Sequence, residues 1–171
     1  SLGANTTASN NTALGYGALL YNTTGTLNTA TGNNSLDANT TGNNNTAFGS
    51  AALGANTTAD ANTALGSYSL ALNITGATNV AVGRVALYTN TTGSRNVAAG
   101  YGALYANTTA SDNTAVGYDT LVANTTGTFN VAVGTYALDS NTTANNNTSI
   151  GYAALGANTT GSGNVAVGGN A

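Results

Sequence analysis

The sequence lacks most of the side chains on which enzymes rely. Among its 171 residues there is no His, Cys, Met, Trp or Pro, and there is also no Lys, Glu or Gln. General acid–base catalysis draws mainly on His, Glu, Asp, Lys, Tyr and Cys, of which only Asp and Tyr are present. A Ser–His or Cys–His nucleophilic pair cannot be assembled, and neither can a zinc site of Cys and His ligands. The composition therefore predicts a protein that is not an enzyme and that folds without a metal or cofactor.

Charge is also scarce, which limits the partners of the chain. The only cations are Arg84 and Arg95, against five aspartates, so that the net charge is −3. Two arginines cannot neutralise a run of phosphates, and we expect no nucleic-acid binding. No stretch approaches about 18 consecutive apolar residues, so we expect no membrane span, and no signal peptide is visible at Ser1. Because hydrophobic residues still make up 41% of the chain, the composition does not match that of a disordered segment.

What the chain contains instead is a repeat. The segment N-[TV]-A-x-G recurs every 17 residues without an insertion or deletion. Numbered from that Asn, the unit reads N-[TV]-A-x-G-x-x-[AST]-L-x-x-N-T-T-[GA]-x-x, with Ser149 at position 3 and Ile74 at position 13 as departures. We predict that residues 1–171 form one uninterrupted array with partial repeats at both ends. The copies begin at Asn11, Asn28, Asn45, Asn62, Asn79, Asn96, Asn113, Asn130, Asn147 and Asn164.

The positions of the unit divide into fixed and variable ones, which indicates an inside and an outside. Gly at position 5, Leu at 9, Asn at 12 and Thr at 14 never vary, whereas every charge and every tyrosine falls at position 6, 7, 10, 11, 16 or 17. Fixed Gly and runs of β-branched residues disfavour a helix, and short apolar segments bounded by Gly and Asn are typical of brief strands. We therefore predict an all-β fold, a parallel β-solenoid with one 17-residue coil per repeat. Its coils would stack about 4.8 Å apart and gain their stability from stacking.

The alternation along the strand suggests which side chains form the core. We predict that positions 2, 4 and 9 point inward, and that Asn at position 12 forms an amide ladder or an Asx-type turn. Position 3 would then point outward, and since it is held small we interpret it as a contact with a neighbouring chain. The predicted core ladder is Leu19, Leu36, Leu53, Leu70, Leu87, Leu104, Leu121, Leu138 and Leu155, and the predicted inter-chain contacts are Ala47, Ala64, Ala81, Ala98, Ala115 and Ala132.

Two features favour assembly of the chain with itself. The small residues at position 3 predict a lateral contact, and Ser1 and Ala171 occupy the same phase of the repeat with no atypical repeat at either end. Solenoids usually carry capping repeats that keep their ends soluble. We therefore expect a homo-oligomeric fibre, for example a trimer, or end-to-end stacking.

Every repeat also carries an N-x-T sequon, which in an extracellular protein is an acceptor of N-glycans. A column of Asn residues about 4.8 Å apart leaves too little room for a glycan on each, and an Asn-Thr-Thr edge contains the motif by chance. Glycosylation of a fraction of the sites stays open. The candidate acceptors are Asn5, Asn22, Asn39, Asn56, Asn73, Asn90, Asn107, Asn124, Asn141 and Asn158.

Two further sets of residues are candidates for ligand binding. A regular Thr array can order water in register with ice, although Thr is also a good strand residue. Exposed tyrosines can stack on sugar rings, or they can pack against another chain. The candidate ice-binding row at position 13 is Thr6, Thr23, Thr40, Thr57, Thr91, Thr108, Thr125, Thr142 and Thr159. The tyrosines that share a column are Tyr16, Tyr101, Tyr118 and Tyr152 at position 6, and Tyr88 and Tyr105 at position 10.

The residues from Asn96 to Thr109 fit the motif N-[TV]-A-x-G-Y-x-A-L-Y-x-N-T-T. This motif resembles repeats of phage tail-fibre-like and bacterial surface proteins, and its N-[TV]-A-[VIL]-G core is similar to the head repeats of trimeric autotransporter adhesins, which form trimeric left-handed β-rolls. The resemblance implies the self-assembling shaft or stalk of an extracellular fibre, on a cell-surface appendage or a virion. A solenoid surface that binds ice or a glycan is the alternative.

Overall fold

The computed structural model describes residues 1–171 and consists of short strands joined by turns. The strands are parallel and form one sheet in sequence order, and each pairs in register with the strand 17 residues further on, as Val80 does with Val97. The predicted all-β parallel β-solenoid with one coil per repeat is therefore confirmed. The strands are β1 Thr12–Leu14, β2 Thr29–Thr31, β3 Thr46–Phe48, β4 Thr63–Leu65, β5 Val80–Val82, β6 Val97–Ala99, β7 Thr114–Val116, β8 Val131–Val133, β9 Thr148–Ile150 and β10 Val165–Val167.

Hydrogen bonds between coils extend well beyond the sheet. Only 18 of the 107 backbone hydrogen bonds lie within the strands, and many of the other 89 join one coil to the next. The N–H of Leu87 donates to the carbonyl of Ala103 at 3.0 Å, for example, and that of Thr91 donates to Thr108 at 2.8 Å. Because most of these partners belong to a neighbouring coil, a single repeat cannot satisfy its own backbone, and the coils are stable only as a stack.

Positive φ angles turn the chain at three positions of each coil besides the invariant glycine. Positions 7, 9 and 17 are left-handed, with φ of 54° at Val85, 51° at Leu87 and 57° at Arg95. This conformation costs an ordinary residue about 1–2 kcal/mol, so packing and the bonds between coils must hold it in place. The glycines at position 5 have φ between 125° and 143°, a region that is nearly restricted to glycine. Backbone geometry therefore explains why position 5 never varies.

The core is a slender column between the strand and the opposite wall of the coil. Side chains at positions 1, 3, 8, 9 and 12 are buried in it, and the leucines at position 9 are its largest members. The fully buried leucines are Leu19, Leu36, Leu53, Leu70, Leu87, Leu104, Leu121 and Leu138. In the outermost coils, Leu2 and Leu155 are partly buried against the same cluster.

The predicted orientation of the strands is wrong. Position 3 points inward, whereas positions 2 and 4 point outward and leave Val80 and Val82 exposed to 36% and 39%. The reason is the width of the core: the leucine that reaches across from position 9 fills the interior, so that the facing strand has room only for Ala or Ser. The alanines that we expected at an inter-chain contact are all fully buried, namely Ala47, Ala64, Ala81, Ala98, Ala115 and Ala132. They cannot touch another chain.

Candidate functional surfaces

Two columns of asparagine run through the interior, and both are fully hydrogen-bonded. At position 12, the Nδ2 of Asn90 donates to the Oδ1 of Asn73 at 2.8 Å and to the carbonyl of Gly93 at 2.9 Å. At position 1, the backbone N–H of Asn96 donates to the Oδ1 of Asn79 at 2.9 Å, and the Nδ2 of Asn96 also donates to a backbone carbonyl. No buried side-chain nitrogen or oxygen in the chain lacks a partner. The amides thus bind each coil to the next.

The asparagine column at position 12 was expected from the sequence as a ladder or a turn, whereas the column at position 1 was not. The Asn at position 1 was used only to number the repeats, although its presence in all ten copies already indicated a buried position. Polar residues that never vary beside fixed small residues are typical of buried ladders in stacked structures.

The same geometry contradicts the sequon hypothesis for the inner coils. In these coils the sequon Asn is buried and donates to the carbonyl three residues further on, and from Asn39 to Asn141 it also donates to the Asn of the preceding coil. No glycan can be attached to such a side chain in the folded chain. In the outermost coils, Asn5 is exposed and Asn158 is partly buried. The fully buried sequon residues are Asn22, Asn39, Asn56, Asn73, Asn90, Asn107, Asn124 and Asn141.

Replacing Asn90 with Ala is expected to lower the free energy of unfolding by about 1–3 kcal/mol, the usual cost of leaving buried polar groups without a partner. The substitution leaves the Oδ1 of Asn73 without its donor and removes the acceptor of the Nδ2 of Asn107. Urea denaturation followed by circular dichroism measures the loss. Asn33→Ala, at an exposed position, is the matched control and should change stability by less than about 0.5 kcal/mol. Equal effects of the two substitutions would contradict a structural role for the ladder.

The Asn-Thr-Thr edge presents two threonine columns with different roles. At position 13 the hydroxyl donates to the backbone of the next coil, as Thr91 does to the carbonyl of Thr108 at 3.0 Å, and Ile74 interrupts the column. The row that we predicted for ice binding therefore directs its hydroxyls into the protein. At position 14 every threonine is exposed and its hydroxyl makes no hydrogen bond within the chain. This free threonine row is Thr7, Thr24, Thr41, Thr58, Thr75, Thr92, Thr109, Thr126, Thr143 and Thr160.

The outward side of the sheet forms an apolar face. Position 2 contributes Thr or Val, position 4 contributes mainly aliphatic residues, and no charged side chain lies among them. We call these two columns the outer strand face. Its exposed hydrophobic residues are Leu14, Phe48, Leu65, Val80, Val82, Val97, Val116, Val131, Val133, Ile150, Val165 and Val167.

Tyrosines of neighbouring coils lie against one another. Tyr101 and Tyr118 stack with ring centroids 5.2 Å apart and planes 10° apart, and Tyr88 and Tyr105 stack in the same way at 5.3 Å. The guanidinium of Arg84 covers Tyr101 at 5.8 Å from its centroid. Stacking therefore covers one face of each of these rings, and both faces of Tyr101 are covered, which reduces the ring surface that is free to stack on sugars.

The few charges contribute little to a site. Arg95 and Asp112 form an exposed bidentate pair, with Nε 2.7 Å and Nη2 2.9 Å from the two carboxylate oxygens. The hydrogen bond from Arg95 lowers the pKa of Asp112, but an exposed pair contributes little to stability because solvent screens it. Burial raises the pKa of Asp37 and of Asp119. The structure contains neither a pocket nor a cluster of potential metal ligands.

These features define the class of the molecule as a parallel β-solenoid repeat protein. It offers three regular surfaces, namely the outer strand face, the free threonine row and the tyrosine stacks. The chain has no helix of the length and apolarity that crossing a membrane demands. Comparison with protein-family models, with curated proteins and with solved structures finds no match.

Proposed function

We propose that the chain is a shaft or stalk segment of an extracellular fibre that assembles from copies of itself. The observation that carries the proposal is the unbroken stacking of equivalent 17-residue coils, each tied to the next by backbone bonds and by two asparagine ladders. Such a rod resists extension along its axis, and it needs no pocket. The likeness of Asn96 to Thr109 to repeats of tail-fibre-like and bacterial surface proteins supports a place outside the cell.

The outer strand face, in place of the alanine column, is the surface that we assign to self-association. Nine inter-strand intervals of about 4.8 Å and a width of about 10 Å give it an area of roughly 400 Å². A contiguous apolar patch of that size equals the largest patch on a typical monomer, and such a patch is often functional. Its rows repeat at every coil, so that a matching partner must carry rows with the same axial spacing. A second copy of this chain has such rows, and we therefore infer a homo-oligomer, for example a trimer.

Sedimentation of two matched triple variants tests this assembly. We expect the parent chain to sediment as an oligomer, and Val82→Lys, Val116→Lys and Ile150→Lys together to convert it to a monomer, because they place charge on the outer strand face. The control triple variant Thr75→Lys, Thr109→Lys and Thr143→Lys carries the same charge on the same alternate coils but on the free threonine row. It should remain oligomeric. A parent that is monomeric at high concentration, or an oligomer that survives both sets, would remove the support for the shaft.

The free threonine row favours a second candidate function, binding to ice. Position 14 keeps both a methyl and a free hydroxyl in every copy, whereas position 13 contains Ile74 and position 15 is Gly or Ala. The spacing of about 4.8 Å between coils lies near the repeat of water oxygens along one axis of ice. The control variant described above also tests this candidate. Ice binding would be established if the parent chain inhibits ice recrystallisation and the triple variant Thr75→Lys, Thr109→Lys and Thr143→Lys does not. A parent without any effect on ice growth would exclude it.

A further inference from the structure

Seven of the nine tyrosines form two rows along the solenoid, and each row contains one stacked pair. The first row comprises Tyr68, Tyr88 and Tyr105, with a stacked pair at 5.3 Å and an edge-on pair, Tyr68 and Tyr88, at 6.4 Å. The second row begins with the stacked pair Tyr101 and Tyr118 at 5.2 Å. It continues edge-on through Tyr136 at 5.6 Å and Tyr152 at 6.2 Å.

We propose that the two stacked pairs, Tyr88 with Tyr105 and Tyr101 with Tyr118, are sites of oxidative cross-linking, at which a peroxidase and hydrogen peroxide join neighbouring coils through dityrosine. Each phenol of a pair loses one electron and its proton to give a tyrosyl radical. The two radicals form a carbon–carbon bond between ring carbons ortho to the oxygens. The hydrogen atoms on those carbons move to the oxygens and restore both rings. The pair thus loses two hydrogen atoms, and one hydrogen peroxide is reduced to two water molecules.

The fold holds the stacked rings at a distance from which they can couple. Both pairs join residues 17 apart in neighbouring coils, and backbone bonds fix the register beside them. The N–H of Asp119 donates to the carbonyl of Tyr101 at 2.9 Å, and the N–H of Thr89 donates to the carbonyl of Tyr105 at 3.2 Å. Two groups held together in this way react as if each were present at very high concentration. Coupling within one chain should therefore be faster than coupling between chains.

The stacked pair of the second row is both accessible and supplied with a proton acceptor. Tyr101 and Tyr118 are exposed to 43% and 45%, so that an oxidant can reach the rings and the rings can turn towards the geometry of the product. The negative charge of the neighbouring Asp119 raises the pKa of Tyr118. The same carboxylate, on the residue next to Tyr118 in the chain, is a base that can take up the proton that oxidation releases. The edge-on rings of Tyr136 and Tyr152 continue the row, so that a radical formed on either ring can migrate to the stacked pair.

The positions of the two arginines allow each cross-link to be recognised directly. The dilute chain of residues 1–171 is treated with a peroxidase and hydrogen peroxide and is then denatured. Trypsin should cleave it after Arg84 and Arg95 and give residues 1–84, 85–95 and 96–171. A Tyr88–Tyr105 bond joins the second fragment to the third. A Tyr101–Tyr118 bond lies within the third fragment and lowers its mass by two hydrogen atoms.

We expect blue dityrosine fluorescence from a chain of monomeric mass. Fragment 85–95 should be attached mainly to fragment 96–171, and only a small part of fragment 85–95 should be attached to fragment 1–84 through the edge-on pair. Tyr101→Phe should abolish the loss of two hydrogens within 96–171 and keep the Tyr88–Tyr105 bond. Tyr16→Phe, which alters an isolated ring exposed to 81%, should change neither product. Absence of dityrosine, cross-links found only between chains, or equal joining of 85–95 to both neighbours would overturn the proposal. The test does not depend on whether the chain is a fibre shaft, since it is read from single chains.

Discussion

Gly83→Ala is expected to destabilise the solenoid by roughly 2–6 kcal/mol, from about 1–3 kcal/mol of backbone strain and about 1–3 kcal/mol of overpacking. Gly83 has a φ of 125°, at which an L-residue is strained. A Cβ at this position would lie 2.5 Å from the carbonyl oxygen of Gly100 and 2.7 Å from its carbonyl carbon. Both atoms belong to the backbone of the next coil, so that the clash can be relieved only by separating the two coils.

The matched control for this substitution is Gly54→Ala. Its φ is unstrained, the nearest atom to an added Cβ is the carbonyl oxygen of Ala51 at 3.4 Å, and Ala71 occupies the same position of the unit in the next repeat. We expect a change within about 0.5 kcal/mol. Urea denaturation of both variants measures the difference, and a small effect of Gly83→Ala would mean that the coils are less tightly stacked than the structure shows.

Leu87→Ala should cost about 2–5 kcal/mol, because it opens a cavity in the middle of the core column. Leu87 is fully buried, and its left-handed backbone is held by a bond to the next coil. The coils above and below are fixed by the same ladder of hydrogen bonds, so that they cannot collapse into the space.

Leu72→Ala removes the same atoms from a surface site and is the control. Leu72 is exposed to 42%, and alanine stands at its position in other repeats, for example at Ala38 and Ala55. Thermal and urea denaturation should show a loss below about 1 kcal/mol for Leu72→Ala, against the larger loss for Leu87→Ala. Similar losses would indicate that the leucines at position 9 are not the main support of the core.

The sequence by itself determined the period, the fold class and the invariant glycine. A motif that recurs every 17 residues with no change of phase predicts a stack of equivalent units, and the choice of strand over helix follows from Gly, Thr and Val. Leucine at position 9 is the one large apolar residue that never varies. Its place in the core could therefore be inferred before any coordinates were known.

Only the tertiary structure decided which side of each strand faces the core. Alternation shows that Ala81 lies opposite Val80 and Val82, but it does not show which set is inside. That choice depends on the space that remains beside the side chain of Leu87, which reaches the strand from the opposite wall of the coil. The tertiary structure also decided the candidate surfaces. Thr91 and Thr92 are neighbouring threonines, and only the path of the backbone directs the hydroxyl of Thr91 to the next coil and leaves that of Thr92 free.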